Sequence, residues 1–582
     1  MQADTVTGED ATGSEQGRKT PFEAATETWW RDIDPFGVVA SILRVQETWI
    51  SHPQEMSRAM AYLSEDMSAL NKYILRRSMG LPAEEVVTPH PDDTRFLDKE
   101  WSVSPAWNII KQAYLALTHY SQDIVYATPD INDKQKSRAA FWLRFWLNAL
   151  APTNFFLSNP VALRKYIESN GKSLVDGMRN FQRDMLVRDI QMTEPGTLEV
   201  GKDLATTMGN VIFRNDLIEL IYYTPTTPKV HKKPIVIVTP WINKYYVLDL
   251  KPEKSMIKYL VDNGYPVFVT SWKNPDAAMR NVSYDDYLEQ GAQTAVNVAC
   301  EYYGGEAVHL TGYCIGGTLS ATYMAWANKR FAQNQLQVAD WTLFTTLVDF
   351  TAPGDIDVFV DEATVSALEK IMGREGYLDG QNMAAAFRML RSNSLIWHYW
   401  VSSYLYGEEL KPFDVLTWNM DSTRMTAAMH GFYLRQMYLN NNLIKRNKLT
   451  IAGERIDLGC IKQPLYMVSA EDDHITPWKE CYRTQKYVNA QAPVRFVLSS
   501  SGHIQGIINP DINPPRRNYR ADVVKHNERW ESWLKHAKAK QGSWWADWLQ
   551  WLGREGGNLV TPPAASKKYP AICPAPGTYV LE

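Results

Sequence analysis

The stretch Gly312-Tyr313-Cys314-Ile315-Gly316-Gly317 decides the reading of this 582-residue chain. It follows an apolar run, Ala307-Val308-His309-Leu310, and leads into Thr318-Leu319-Ser320-Ala321-Thr322-Tyr323, a segment suited to a helix. A strand, a sharp turn and a helix are therefore predicted, with Cys314 at the turn. A residue held in a strained strand-to-helix turn needs neighbours without side chains two positions away on either side, and Gly312 and Gly316 meet that need. Gly317, Ser320 and Ala321 are small enough to let the helix pack closely on a sheet. The pattern is a G-x-S-x-G nucleophile elbow with cysteine in place of serine. The helix N-terminus favours the thiolate, and it aims the backbone N–H of Ile315 at a developing oxyanion.

Short β-branched runs surround the elbow at Ile235 to Val238, Val267 to Thr270, Leu343 to Phe350, Leu465 to Ser469 and Val494 to Leu498, with helical stretches such as Tyr284 to Tyr302 between them. This rhythm predicts an α/β fold with a parallel sheet covered on both faces. More than 100 residues separate Phe350 from Leu465, too many for one crossover, so an inserted helical cap over about 351–460 is expected. Residues 1–22 are expected to be a disordered tail, 23–192 a helical N-terminal domain, and 193–582 the catalytic domain. Ala139 to Leu150 is apolar nearly all round and predicts a buried helix.

In an α/β-hydrolase the nucleophile, acid and base follow in that chain order, with the acid after a late strand and the base after the last. Leu465 to Ser469 runs into Glu471-Asp472-Asp473-His474, and Val494 to Leu498 runs into Ser501-Gly502-His503. His503 is thus the expected base, with Asp472 or Asp473 orienting it. His474 stands in the segment of the acid, and His309 and His430 read as structural. A second oxyanion donor is expected after the Ile235 to Val238 strand. Pro240 has no N–H, which leaves Trp241 or Ile242.

Composition narrows the function. Lys and Arg number 61 against 65 Asp and Glu, so the electrostatic case for nucleic-acid binding is missing. Five cysteines, an odd number without metal-ligand spacing, predict free thiols in a reducing compartment and no metal. No apolar run reaches the ~18 residues of a membrane helix, and the polar N-terminus lacks the features of a signal peptide; a cytoplasmic protein is expected. The unusual count is 21 Trp against 18 Phe. The set Trp544, Trp545, Trp548 and Trp551 has helical spacing and is read first as packing on the catalytic core, second as an apolar or interfacial contact.

These features, together with TPWINKYYVLDLKPE from Thr239, SWKNPD from Ser271, YDDYLEQG from Tyr284, FDVLTWNMDSTRM from Phe413, HGFYLRQMYLNNNL from His430, EDDHITPW from Glu471 and SGHIQGIINP from Ser501, closely resemble the class I polyhydroxyalkanoate synthases. The likeness covers about residues 90–582. It implies that Asp473, which immediately precedes His474, is the acid. It also implies polymerisation of (R)-3-hydroxyacyl-CoA into a polyester with release of CoA, no separate cofactor, and a homodimer at the surface of an intracellular polymer granule with its coating proteins. Trp241 departs from the family pattern, where relatives carry a smaller residue, and is expected to narrow the entrance or alter substrate range. Arg424-Met425 departs from the Asn-Leu common there. A thiol-dependent hydrolase of the same fold and a non-enzymatic granule scaffold are the competing readings.

Overall fold

The computed structural model describes residue 34 and residues 36–91, 93–554, 556–564 and 566–582; the expected tail at 1–22 lies outside the described residues. Six helices of nine or more residues come first among the described residues: α1 (Val38–Ser51), α2 (Pro53–Ser78), α3 (Pro105–Ala127), α4 (Asp133–Ala149), α5 (Pro160–Glu168) and α6 (Lys172–Val187). Their starts are local. Proline stands in the first turn of α2, α3 and α5, where its missing N–H costs nothing. A capping box between Asn132 and Gln135 opens α4. That helix is buried along one side only: Phe141 and Trp142 are covered, whereas Trp146 stays 53% exposed. The all-round burial expected for Ala139 to Leu150 does not occur, because only one face meets a neighbour.

The strands are β1 (Gly209–Arg214), β2 (Ile218–Tyr223), β3 (Ile235–Val238), β4 (Val267–Trp272), β5 (Val308–Tyr313), β6 (Val338–Phe344), β7 (Leu465–Ala470), β8 (Val494–Ser499), β9 (Asn518–Val524), β10 (Lys538–Gln541) and β11 (Cys573–Pro574). They form one sheet in the order β10-β9-β8-β7-β6-β5-β3-β4-β2-β1-β11. The run from β8 to β4 is parallel. Both flanks are antiparallel, so the sheet is mixed where a parallel one was expected. The exposed, lysine-bearing edge strand β10 carries no apolar signal from which to predict it.

β6 lies earlier than the predicted Leu343 to Phe350. The chain turns out of the sheet at Thr345, whose φ is +37°, and 345–350 continues as a buried loop. Its apolar character reflects burial beneath the insertion, not strand pairing.

Residues of β3 alternate between the two faces. Val236 and Val238 join the core under α7 (Ile315–Arg330), and Ile235 and Ile237 join the core under α11 (Trp545–Leu552). Trp544, Trp545 and Trp548 of this last region are buried, as the first reading of that aromatic set expected.

Between β6 and β7 the chain is mostly helical, with α8 (Glu362–Glu375), α9 (Gly380–Leu390), two π-helical turns at Asn393–Trp397 and Trp400–Leu405, and α10 (Ala427–Tyr433). The N-terminal helices pack on this insertion. Phe141 and Trp142 of α4 share one apolar cluster with Val358, Phe359 and Leu390, while both sheet cores draw only on residues after 197.

Candidate active site

Parallel strands end at one edge of the sheet. Cys314 follows β5, Asp473 follows β7 and His503 follows β8, so the topology brings the three together. Cys314 sits at φ +52° and ψ −122°, a backbone that L-residues rarely adopt, immediately before α7. The glycines around it are required by space. A Cβ on Gly312 would lie 2.5 Å from the Cα of Gly317, and one on Gly316 would lie 2.4 Å from the carbonyl oxygen of Val238. The Cys314 N–H donates to the Phe344 carbonyl at 2.9 Å, tying the elbow to the end of β6.

His503 Nδ1 is 2.6 Å from Asp473 Oδ2, and the imidazole shares a cavity with Cys314. Asp473 is held by other donors as well. The N–H groups of Ile475 and Thr476 each donate to Oδ1 at 2.9 Å, and the Thr476 hydroxyl donates to Oδ2 at 2.7 Å. Asp472 makes no such contact; its backbone N–H donates to the Ser501 carbonyl. Burial works against a charged imidazole at His503, but the Asp473 carboxylate and the Cys314 sulfur outweigh it and lift the pKa to about 10. Burial likewise opposes ionisation of Asp473, and the His503 charge and the Thr476 bonds overcome it, leaving the acid below its ordinary value. The arrangement suits a thiol nucleophile served by an oriented imidazole.

His474 also reaches this cavity, but burial and the Arg391 charge depress it to about 4, so it stays neutral. His309 is remote in role, buried at the start of β5 against Asp340 at 2.7 Å.

Cys314 and His503 open into a mostly apolar cavity of about 350 Å³, with Asp473 buried behind the imidazole. Ile315 and Ile242 are on its wall; Trp241 is not. The Trp241 side chain is buried between Trp272 and Tyr287, with ring centroids 5.3 and 4.7 Å away. The expected narrowing of the entrance by that indole is therefore corrected: it fills the core beneath the cavity. Phe387, Arg391, Leu395, Tyr433 and Tyr438 close the other side from the insertion. Sequence reasoning assigned no role to these residues. Tyr433 and Tyr438 are five apart and reach one cavity because the π-helix Leu434–Leu439 follows Tyr433 and includes Tyr438, a spacing that a search at 3.6 residues per turn passes over. The indole N–H groups of Trp544 and Trp545 donate to the carbonyls of Gly506 and Ile507 at 2.8 and 2.9 Å, bracing the loop that carries His503.

Among the described residues, no group of three or more His, Cys, Asp or Glu is disposed to hold a metal ion, and no helix is long and apolar enough to cross a membrane.

Comparison with known proteins agrees with this architecture. Residues 92–260 match the family described as Poly-beta-hydroxybutyrate polymerase (PhaC) N-terminus, and residues 234–510 match the alpha/beta hydrolase fold. The chain is 40% identical over 547 residues to the poly(3-hydroxyalkanoate) polymerase of Methylorubrum extorquens, spanning 93% of this chain and 89% of that one. It is 38% identical over 495 residues to poly(3-hydroxyalkanoate) polymerase subunit PhaC of Cupriavidus necator, spanning 84% and 83%. Similarity of this extent along nearly the whole length, on an alpha/beta-hydrolase sheet with a cysteine elbow, shows that the chain belongs to the poly(3-hydroxyalkanoate) polymerase family.

Proposed function

We propose that this acyltransferase polymerises (R)-3-hydroxyacyl-CoA into a polyester through a thioester on Cys314. The observation that carries the reading is that Cys314 and His503 share the wall of a capped, mostly apolar cavity, with buried Asp473 2.6 Å behind the imidazole. In the first step the Cys314 thiolate attacks the thioester carbonyl. The negative charge on oxygen meets the Ile315 N–H and a second N–H after β3, with Ile242 better sited than Trp241. The carbon–sulfur bond to CoA breaks, and the departing sulfur takes the proton held by His503. One thioester replaces another, so the acyl group remains activated.

In the second step the 3-hydroxyl of another acyl unit attacks the acyl-Cys314 carbonyl. His503, oriented by Asp473, accepts the hydroxyl proton, the bond to Cys314 breaks, and an ester and a thiolate result. CoA is part of the substrate and a product, so the scheme needs no further cofactor. The apolar walls disfavour water as the competing nucleophile.

The same reading has the enzyme working in the cytoplasm as a homodimer at a polyester granule and its coating proteins. Large apolar side chains on the N-terminal segment support it: Tyr62, Leu157 and Leu186 are 71%, 80% and 86% exposed.

Incubation with (R)-3-hydroxybutyryl-CoA tests the chemistry. CoA release with insoluble polyester is expected. Free hydroxy acid as the main product overturns the polymerase reading in favour of a hydrolase. Unchanged polymer from Cys314→Ala overturns the nucleophile and favours a scaffold role.

A further inference from the structure

The insertion that roofs the cavity is backed, on its far side, by the N-terminal helices. α9 shows both relations within one turn. Phe387 and Arg391, four residues apart and so on one face of that region, line the cavity with Cys314. Arg388 points elsewhere and makes a two-pronged ion pair with Asp189, one bond being Nη2 to Oδ2 at 3.0 Å. The pair is largely shielded, with side-chain exposures of 13% for Arg388 and 22% for Asp189. Such a fork fixes direction as well as distance.

Asp189 is itself held in place. It follows Arg188, which ends α6 in the left-handed conformation at φ +56°. Its N–H donates to the Asp184 carbonyl at 3.2 Å. The buried Asp184 carboxylate in turn accepts from Tyr404 Oη at 2.7 Å and from the Gln191 N–H at 3.1 Å. A second support is apolar. Phe387 and Ile356, both cavity residues, belong to the cluster built on Phe141 and Trp142 of α4. Beside Ile356, Asp357 pairs with Lys134 at 2.7 Å, and Asp361 pairs with Arg138. Residues that face substrate thus alternate with residues tied to the N-terminal segment.

We infer that Asp189 is a positioning residue for the transfer reaction, acting through Arg388 to set the α9 wall, with Phe387 and Arg391, against Cys314. The inference rests on the reaction proposed above. Asp189 touches no reacting atom; it fixes the helix whose neighbouring residues bound the substrate. The N-terminal segment is then part of the specificity apparatus of the site and not only a separate attachment device.

A charge reversal tests this. Asp189→Ala, Arg388→Ala and the double variant Asp189→Arg/Arg388→Asp are compared with the parent in KM and kcat for CoA release from (R)-3-hydroxybutyryl-CoA. The rate of Cys314 alkylation by iodoacetamide, followed on the Cys314 peptide, is measured alongside because it reports the cavity without turnover. Each single variant is expected to raise KM roughly tenfold with kcat within about twofold, and to speed alkylation roughly threefold, as a displaced wall requires. The reversed pair is expected to recover most of both losses. Unchanged KM and alkylation in the single variants overturn the inference, as does a reversed pair no better than the singles. Should Asp189→Ala fail to fold, Asp189→Asn replaces it, keeping an acceptor while losing the charge. About a threefold rise in KM is then expected, and no rise overturns the inference. A product of free hydroxy acid would overturn the polymerase reading alone, and the same KM and alkylation comparisons would still decide the role of Asp189.

Discussion

Asp473→Asn isolates the contribution of the buried carboxylate to the nucleophile. The substitution keeps an oxygen for the Ile475 and Thr476 N–H groups, so the loop after β7 is expected to hold its shape. What it removes is the charge 2.6 Å from His503 Nδ1, in a site where both side chains are nearly sealed from solvent. Opposite charges with centres about 4 Å apart interact by about 4 kcal/mol at an effective dielectric near 20. At about 1.4 kcal/mol per pKa unit, that is roughly three units. An imidazole now at about 10 would fall to the neutral range, because the burial that opposes its charge would lose its main counterweight. The amide can also turn its NH₂ toward Nδ1 and select the wrong tautomer. A loss of roughly 10²–10⁴ in kcat/KM is expected. The assay is CoA release from pH 5 to 10, with iodoacetamide alkylation of Cys314 over the same range. In the parent, the profile should follow an imidazole that holds its proton up to about pH 10. In Asp473→Asn the part of the profile that follows His503 should move toward neutral pH. A variant that keeps more than a tenth of the parent kcat/KM, with the same alkylation profile, refutes this account.

Two further outcomes follow from the backbone and from buried histidine. The strain at Cys314, φ +52°, is of order 1–3 kcal/mol and is relieved by glycine, whose added chain entropy returns about 0.5–1 kcal/mol of that gain. Cys314→Gly should therefore melt above Cys314→Ala, both without polymerase activity; a lower melting point for the glycine variant contradicts the strain. His430 is buried and its pKa is depressed from 6.5 to about 4 by desolvation. The unfolded chain binds this proton as pH falls through 6.5 and the folded chain does not until about 4, so the fold loses about 3 kcal/mol across that window. His430→Gln should flatten the dependence of the melting temperature on pH between 6.5 and 4, and a curve parallel to the parent's refutes the assignment.

Much of the site is legible in the sequence because its constraints are local. The elbow at Gly312 to Gly317 declares itself through steric demands that no residue but glycine satisfies, and the contacts at Gly312 and Gly316 are backbone contacts that cannot yield. Chain order then brings forward His503 and the two adjacent aspartates. Choosing Asp473 over Asp472 took the family likeness; in the structure it is a matter of which carboxylate the turn after β7 directs at Nδ1. The strands of the central sheet announce themselves through β-branched runs buried on both faces, but the same apolar signal misleads at 345–350, where burial comes from the insertion overhead.

What the chain order could not supply is everything that depends on which surfaces meet. Trp241 was legible as a candidate oxyanion donor and a departure from the family pattern, yet the direction of its indole is set by Trp272 and Tyr287, from segments 30 and more positions away. The π-helical phase that brings Tyr433 and Tyr438 to one cavity departs from the 3.6-residue period on which pattern reading rests. The bond between Asp189 and Arg388 spans 199 positions. The sequence alone determined the elbow that presents Cys314, the fold around it and the chain order of its candidate partners, because glycine sterics and strand periodicity act over a few residues. Only the tertiary structure decided how the cavity is walled and what supports the wall, because a long-range ion pair or an aromatic contact exists only once packing has chosen its partners.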